Sequence, residues 1–196
     1  MSLTNIEEIA TFIVADGKGI LAADESNPTC GKRFDSIGVD STEENRRDYR
    51  ELLFRSKGMK GNIGGVILFD ETIRQKAKDG TLLRNIISDQ GALPGIKVDK
   101  GLQPIEDCPN ETVTAGLDGL DERLKEYSSM GAKFTKWRAV INIGDGIPTD
   151  KCIDANMQAL ADYAKCAQDN GMVPIVEPEV LMDGEHNIDQ CFEATE

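Results

Sequence analysis

Strands that ought to be apolar end instead in pairs of charges. Ile96-Lys97-Val98-Asp99-Lys100, Phe134-Thr135-Lys136-Trp137-Arg138 and Val173-Pro174-Ile175-Val176-Glu177-Pro178-Glu179 are β-rich runs. In each, two charged residues stand two positions apart, so both project to the same face of a strand. A fourth run, Gly19-Ile20-Leu21-Ala22-Ala23-Asp24-Glu25, ends in an acid of the same kind. Burying an unpaired charge costs on the order of several kcal/mol, so these groups must face one another, water or a charged ligand. Four such runs imply one polar cavity lined with Lys, Arg, Asp and Glu, which is how a catalytic site is built.

The segments between these runs read as helices. Thr4-Asn5-Ile6-Glu7 has the form of a capping box, followed by Ile6, Ile9, Ala10, Ile13 and Val14 at helical spacing. Ser41-Thr42-Glu43-Glu44 opens a charged helix to about Lys57, and Val66-Ile67-Leu68-Phe69 is a fully apolar strand. Residues 71–90 are polar and mostly helical, and Pro94-Gly95 starts the third strand. A long loop is expected from Gly101 to Asn110, before a helix holding Leu117, Leu120, Leu124 and Tyr127. Residues 134–143 form the fourth strand, Thr149-Asp150 caps a long helix, 173–177 form the fifth strand, and a helix begins near Ile188. Strand and helix alternate five times without a linker-like stretch, which implies one domain over 1–196 with a parallel sheet and helical crossovers. Polar residues at successive strand ends fit a (β/α)8 TIM barrel, with about the first five βα units in these residues. A doubly wound open sheet is the structural alternative, but Lys18-Gly19-Ile20 lacks its Gly-rich first turn.

Composition narrows the function. A formal net charge of −13 argues against a general nucleic-acid or anionic-membrane surface, yet leaves room for a local basic pocket. No run approaches the roughly 20 apolar residues of a membrane span. Nothing resembles an export signal, so a cytoplasmic protein is expected. The five cysteines are odd in number, lack CxxC spacing and read as reduced thiols. His186 is the only histidine and sits in a polar, loop-like stretch, which excludes the usual His-rich metal site and makes a Ser-His-Asp hydrolase a poor reading. Asn110-Glu111-Thr112 matches a glycosylation sequon with no signal peptide to make it relevant.

The charged set comprises Asp24, Asp99, Glu177 and Glu179 against Lys97, Lys136 and Arg138, close enough to neutral to balance itself. It reads either as an ion-pair layer holding strands in register or as a reactive site. In the second reading, neighbouring cations lower the pKa of a lysine, and a carboxylate beside it moves protons. Such a lysine attacks carbonyls to form a Schiff base, an electron sink that loosens the adjacent carbon–carbon bond. Ser26, Thr29, Lys32 and Arg33, after the first strand, could hold a phosphate.

At these residues the chain resembles class I fructose-1,6-bisphosphate aldolases. The matching motifs are Gly17 through Ser26, Glu43-Glu44-Asn45-Arg46-Arg47, Gly64 through Phe69, Gly95 through Gly101, Gly116 through Leu120, Lys136-Trp137-Arg138 and Val173 through Glu179. The resemblance implies a (β/α)8 barrel that cleaves fructose 1,6-bisphosphate to dihydroxyacetone phosphate and glyceraldehyde 3-phosphate, with no metal or other cofactor. It implies Glu177 as general acid/base for forming and breaking the Schiff base. Asp24 is then the acid/base at the C4 hydroxyl, with Lys136 and Glu179 as electrostatic partners. Lys97, Ser26 and Thr29 become phosphate-side contacts, and Arg33 and Arg138 further anion contacts. A homotetramer is implied for a complete chain. The Schiff-base lysine is expected on a sixth strand, in a Gly-Thr-Leu-Leu-Lys-Pro type motif that these residues do not contain. Residues 1–196 alone are therefore expected to be inactive. A protein-binding module or another phosphosugar-binding barrel remains the alternative.

Overall fold

In the computed structural model, which describes Leu3 and residues 5–196, the chain runs α1 (Ile6–Ile13), β1 (Gly19–Ala23), α2 (Asn27–Asp35), α3 (Glu43–Phe54), β2 (Ile63–Leu68), α4 (Asp70–Arg74) and α5 (Leu83–Asp89). It continues with β3 (Leu93–Lys97), β4 (Leu102–Ile105), β5 (Cys108–Thr114), α6 (Leu120–Ser129), β6 (Phe134–Ile141), α7 (Asp150–Asp169), β7 (Val173–Val180) and α8 (Ile188–Thr195). The five expected strands form one sheet in the order β1-β2-β3-β6-β7, every neighbouring pair parallel. β1 and β6 are separated by two strands, about 14 Å along a flat sheet at the usual strand spacing. Yet Lys136 of β6 hydrogen-bonds Asp24 at the end of β1. The sheet is therefore curled, with its concave face inward.

The alternation of side chains sorts two layers. Ala23, Val66, Leu68, Ile96, Val98, Trp137 and Ala139 face outward and pack with Phe54, Ile86, Leu124, Leu160 and Tyr163 of the helices. Inward, Ile67 and Phe134 are buried with Ile13 of α1, and Ile20, Leu93, Val173 and Ile175 close around them. That small apolar plug fills the end of the concave face opposite the charges. Gly65 and Gly95 make room for it. A Cβ on Gly65 would lie 2.8 Å from the Phe134 ring, and one on Gly95 would meet the same ring closer still. Behind the sheet, Trp137 stacks on Tyr163 at 5.3 Å, and the Tyr163 hydroxyl bonds Thr135 at 2.7 Å and the Ile175 carbonyl at 3.2 Å. This ties β6 to β7 beneath the charged positions.

Several expectations need correction. The Gly101–Asn110 loop is a β-hairpin: β4 and β5 pair antiparallel, with Ile105 opposite Cys108 across a tight Glu106-Asp107 connection. Asp107 and Asn110 accept positive φ (63° and 66°), conformations that Asp and Asn tolerate better than most residues, so no glycine marks the turn. The stretch after β1 that carries Thr29, Lys32 and Arg33 folds as α2, with Pro28 in its first turn. Residues 71–90 divide into two short helices joined through a Lys76–Leu82 bridge. The capping box placed on Thr4 lies outside the described residues; Asn5 is the cap and accepts from the Glu8 N–H at 2.8 Å. Val14 is the C-cap of α1 and exposed, so the apolar stripe ends at Ile13. The five cysteines are free thiols. Among the described residues no helix is long and apolar enough to cross a membrane.

Candidate active site

Charges from four strand ends converge on the concave face. Lys136, mid-strand in β6, reaches Asp24 Oδ2 at 3.3 Å and Glu177 Oε1 at 3.1 Å. The parallel register sets Arg138 directly beside Glu177, 4.0 Å from its Oε1, while its Nε donates to Glu179. Lys97 pairs in register with Lys136 and lies 3.6 Å from Asp99, whose side chain is only 5% exposed. Asp24, Lys136, Glu177, Arg138 and Glu179 thus form one continuous ion chain, with Lys97 and Asp99 beside it. These positions are shared because parallel pairing holds β6 and β7 in step for eight residues, and period-two alternation turns the same parity inward on both.

The geometry fixes the charge state of Lys136. Burial alone would push the Lys136 ammonium down, but the Asp24 and Glu177 carboxylates more than offset it and hold its pKa above the ordinary lysine value. Lys136 is a fixed cation, not a lysine poised to attack. Although Arg138 follows two residues on, the nearest charges in space are acids. The Arg138 guanidinium, by its hydrogen bond, holds Glu179 below the usual carboxylate range, and Glu179 in turn raises Arg138.

Of the remaining expected residues, Ser26 and Thr29 stand at the start of α2 and Lys32 and Arg33 in its last turn. Ser26 and Thr29 hydrogen-bond each other at 3.0 Å, and Ser26 lines a cleft of about 640 Å³ together with Lys97, Asp99, Lys100, Phe69 and Arg123. Arg33 is brought to Glu25, to which it donates, and is more than half exposed. Ser26 and Lys97 therefore share one cleft, while Arg33 sits on its own ion pair. A β4–β5 brace steadies the far side: Thr114 donates to the Arg138 carbonyl at 2.7 Å, and the buried Glu111 accepts from both the backbone N–H and the hydroxyl of Thr149, at 2.7 Å each.

Sequence reasoning missed a second charged group behind Ser26. Arg46 and Arg50 of α3 are buried, with Glu71 of α4 and Glu25 between them. The signal was present: Arg46, Arg50 and Phe54 recur every four residues, so two arginines occupy the core-facing stripe of α3. Among the described residues no group of three or more His, Cys, Asp or Glu side chains is arranged to hold a metal ion.

The comparisons with known proteins agree with this geometry. The family model of fructose-bisphosphate aldolase class-I matches residues 5–196. The chain belongs to the class-I fructose-bisphosphate aldolase family. It is 57% identical over its full 196 residues to a probable fructose-bisphosphate aldolase class 1 of Xanthomonas campestris, covering 59% of that protein. It is 52% identical over 187 residues to the cytosolic fructose-bisphosphate aldolase 4 of Arabidopsis thaliana, covering 95% of this chain and 48% of that one. A fructose-bisphosphate aldolase from Plasmodium falciparum, solved in complex with TRAP and a small molecule inhibitor, superposes with a TM-score of 0.93 at 47% identity, over 100% of this chain and 60% of that one. The chain thus spans about half to three fifths of the length of these relatives.

Proposed function

We propose that this site serves the reversible Schiff-base cleavage of fructose 1,6-bisphosphate to dihydroxyacetone phosphate and glyceraldehyde 3-phosphate, within a (β/α)8 barrel to which residues 1–196 contribute one domain's first five βα units. The observation that carries the reading is the Lys136 ammonium held between Asp24 and Glu177. A cation fixed between two carboxylates can support charge changes on both without giving up its own proton. Glu177, partly open to solvent, is the group that moves protons to and from the carbinolamine hydroxyl. Asp24 takes the C4 hydroxyl proton as the carbon–carbon bond breaks, and the electron pair passes into the iminium. Glu179 and Arg138 fix the far side of Glu177. Ser26, Thr29 and Lys97 hold one phosphate, with Arg33 and Arg138 as further anion contacts. As the family resemblance implies, the Schiff-base lysine stands on a sixth strand outside 1–196, and Lys136, kept charged by its partners, serves as a fixed cation instead. A homotetramer in the cytosol belongs to the same proposal.

The test is to complete residues 1–196 with the remainder of the Xanthomonas relative and assay aldol cleavage. The completed enzyme is expected to cleave fructose 1,6-bisphosphate. Glu177→Gln should slow the turnover of covalent intermediates by about 10²–10⁴-fold while substrate still binds. Borohydride reduction in the presence of dihydroxyacetone phosphate should label a lysine outside 1–196. An adduct on Lys97 or Lys136, or wild-type turnover in Glu177→Gln, would overturn these assignments.

A further inference from the structure

Behind the turn that carries Asp24 and Ser26 lies a buried ionic group with a job of its own. Arg50, with no exposed side-chain area, donates Nη2 to the Glu25 carbonyl at 2.6 Å and stands 3.6 Å from the Cys30 sulfur. Its other charged neighbours are Glu25 Oε2 at 3.8 Å and Glu71 Oε1 at 3.6 Å, beyond good hydrogen-bond length. Its Nε and Nη1 have no hydrogen-bond partner among the described residues, and neither has Glu25 Oε2. Glu71 is already taken by Arg46, through bonds of 2.9 and 2.6 Å, and by Asn27 at 3.3 Å. Glu25 accepts from Arg33 and from the Tyr49 hydroxyl at 3.2 Å. Two buried guanidinium groups, Arg46 and Arg50, are thus set against two carboxylates, Glu25 and Glu71, with the more exposed Arg33 at the edge.

That placement suits an anion site. Ser26 is the N-cap of α2 but makes no capping bond from its side chain, which turns to Thr29 instead. The free amides of a helix start carry partial positive charge, so the geometry of this turn decides how well they meet an anion. A buried arginine left partly unpaired is costly for stability, and structures keep such groups where they hold a functional geometry.

We propose that Arg50 is a positioning residue of the phosphate-binding turn: its grip on the Glu25 carbonyl sets Asp24 on one side and Ser26 on the other, and so holds the Ser26–Thr29 turn in the form that binds an anion. The inference rests on the phosphate role given to Ser26 and Thr29, and one experiment separates the two. The ¹⁵N-labelled 196-residue chain is titrated with inorganic phosphate, following the Ser26, Asn27 and Thr29 amides. Saturable shifts in the wild type support the site, and no shifts there would overturn both statements. Arg50→Met and Arg50→Lys are then expected to bind phosphate at least about fivefold more weakly, because lysine keeps the charge but cannot span both partners. Cys30→Ala, which loosens the same interior without touching the Glu25 carbonyl, is expected to keep wild-type affinity. Unchanged affinity in a folded Arg50 variant, or an equal loss in Cys30→Ala, overturns the positioning role alone. If both Arg50 variants lose spectral dispersion, hydrogen exchange of the Arg50 Nε–H in the wild type decides: slowing at phosphate saturation supports the role, and an unchanged rate refutes it.

Discussion

Replacing Lys136 by Met tests the central ion chain with little change in side-chain volume. Lys136 is 10% exposed, and its partners Asp24 and Glu177 are 12% and 35% exposed. Deleting one member of a buried pair leaves the other charges without compensation and costs about 3–5 kcal/mol. Glu177 reaches solvent and recovers part of that, so about 2–4 kcal/mol is expected at pH 7 once solvent screening is allowed for. The pH dependence is more discriminating than the magnitude. Lys136 has a folded pKa raised above its unfolded value. Its stabilisation is therefore fully present below the unfolded lysine value, roughly 10.4, and is lost as pH rises through the folded one. The stability gap between the two should therefore hold steady up to about pH 10 and narrow above it. Urea unfolding followed by circular dichroism at about pH 7, 9 and 11.5 measures it, on both sides of the reference lysine value. A Met variant as stable as wild type at pH 7, or a gap that does not vary with pH, would show that Lys136 is not held as an ionic clamp.

Three further outcomes follow from the packing and the titrating groups. Gly95→Ala forces a methyl into the Phe134 ring and should destabilise by about 1–3 kcal/mol in urea unfolding, with Phe134→Leu recovering part of the loss; an unchanged midpoint would refute the close approach. Glu179 has a depressed folded pKa, so its contribution is present above the unfolded value, about 4.3, and fades as pH falls through the folded one. Glu179→Gln should flatten that part of the acid-stability profile, and an unaltered profile would count against the Arg138 pair. The Cys152 thiol is buried and pushed up to about 11, chiefly by burial, so native chain at pH 8 should be alkylated at Cys152 far more slowly than at the half-buried Cys191; equal rates by peptide mass mapping would contradict it.

The sheet was legible because its cause is local. Each strand is a short β-rich run between helix caps, and a parallel sheet buried on both faces needs no long-range information beyond that rhythm. Thr42, Thr149 and Asn187 cap α3, α7 and α8 through their own side chains, so these helix starts could be read directly. The β4–β5 hairpin was hidden because Asp107 and Asn110, not glycines, take the left-handed positions, and because strand-poor residues such as Pro104 and Pro109 interrupt the pattern. α2 was hidden for a related reason: Asn27-Pro28-Thr29 reads as a turn, and the helix shows itself only in the burial of Cys30 and Phe34 one turn apart.

At the site, sequence parity predicted which side chains share the concave face, but not which of them touch. Lys136 and Arg138 are two residues apart in the chain, yet each finds its strongest partner on another strand: Asp24 and Glu177 for the first, Glu179 for the second. The sign of a pKa shift depends on those cross-strand distances, which curvature sets and sequence spacing does not. That is why Lys136, two residues from Arg138 along the strand, is nonetheless stabilised as a cation by carboxylates. The same limit hid Glu25 and Arg50. They are 25 residues apart, and only the packing of α3 behind the end of β1 brings one to the other's carbonyl. A chain of polar contacts that crosses from α4 through α3 to β1 has no linear signature except its cost: two arginines standing where a helix would ordinarily present leucines to the core.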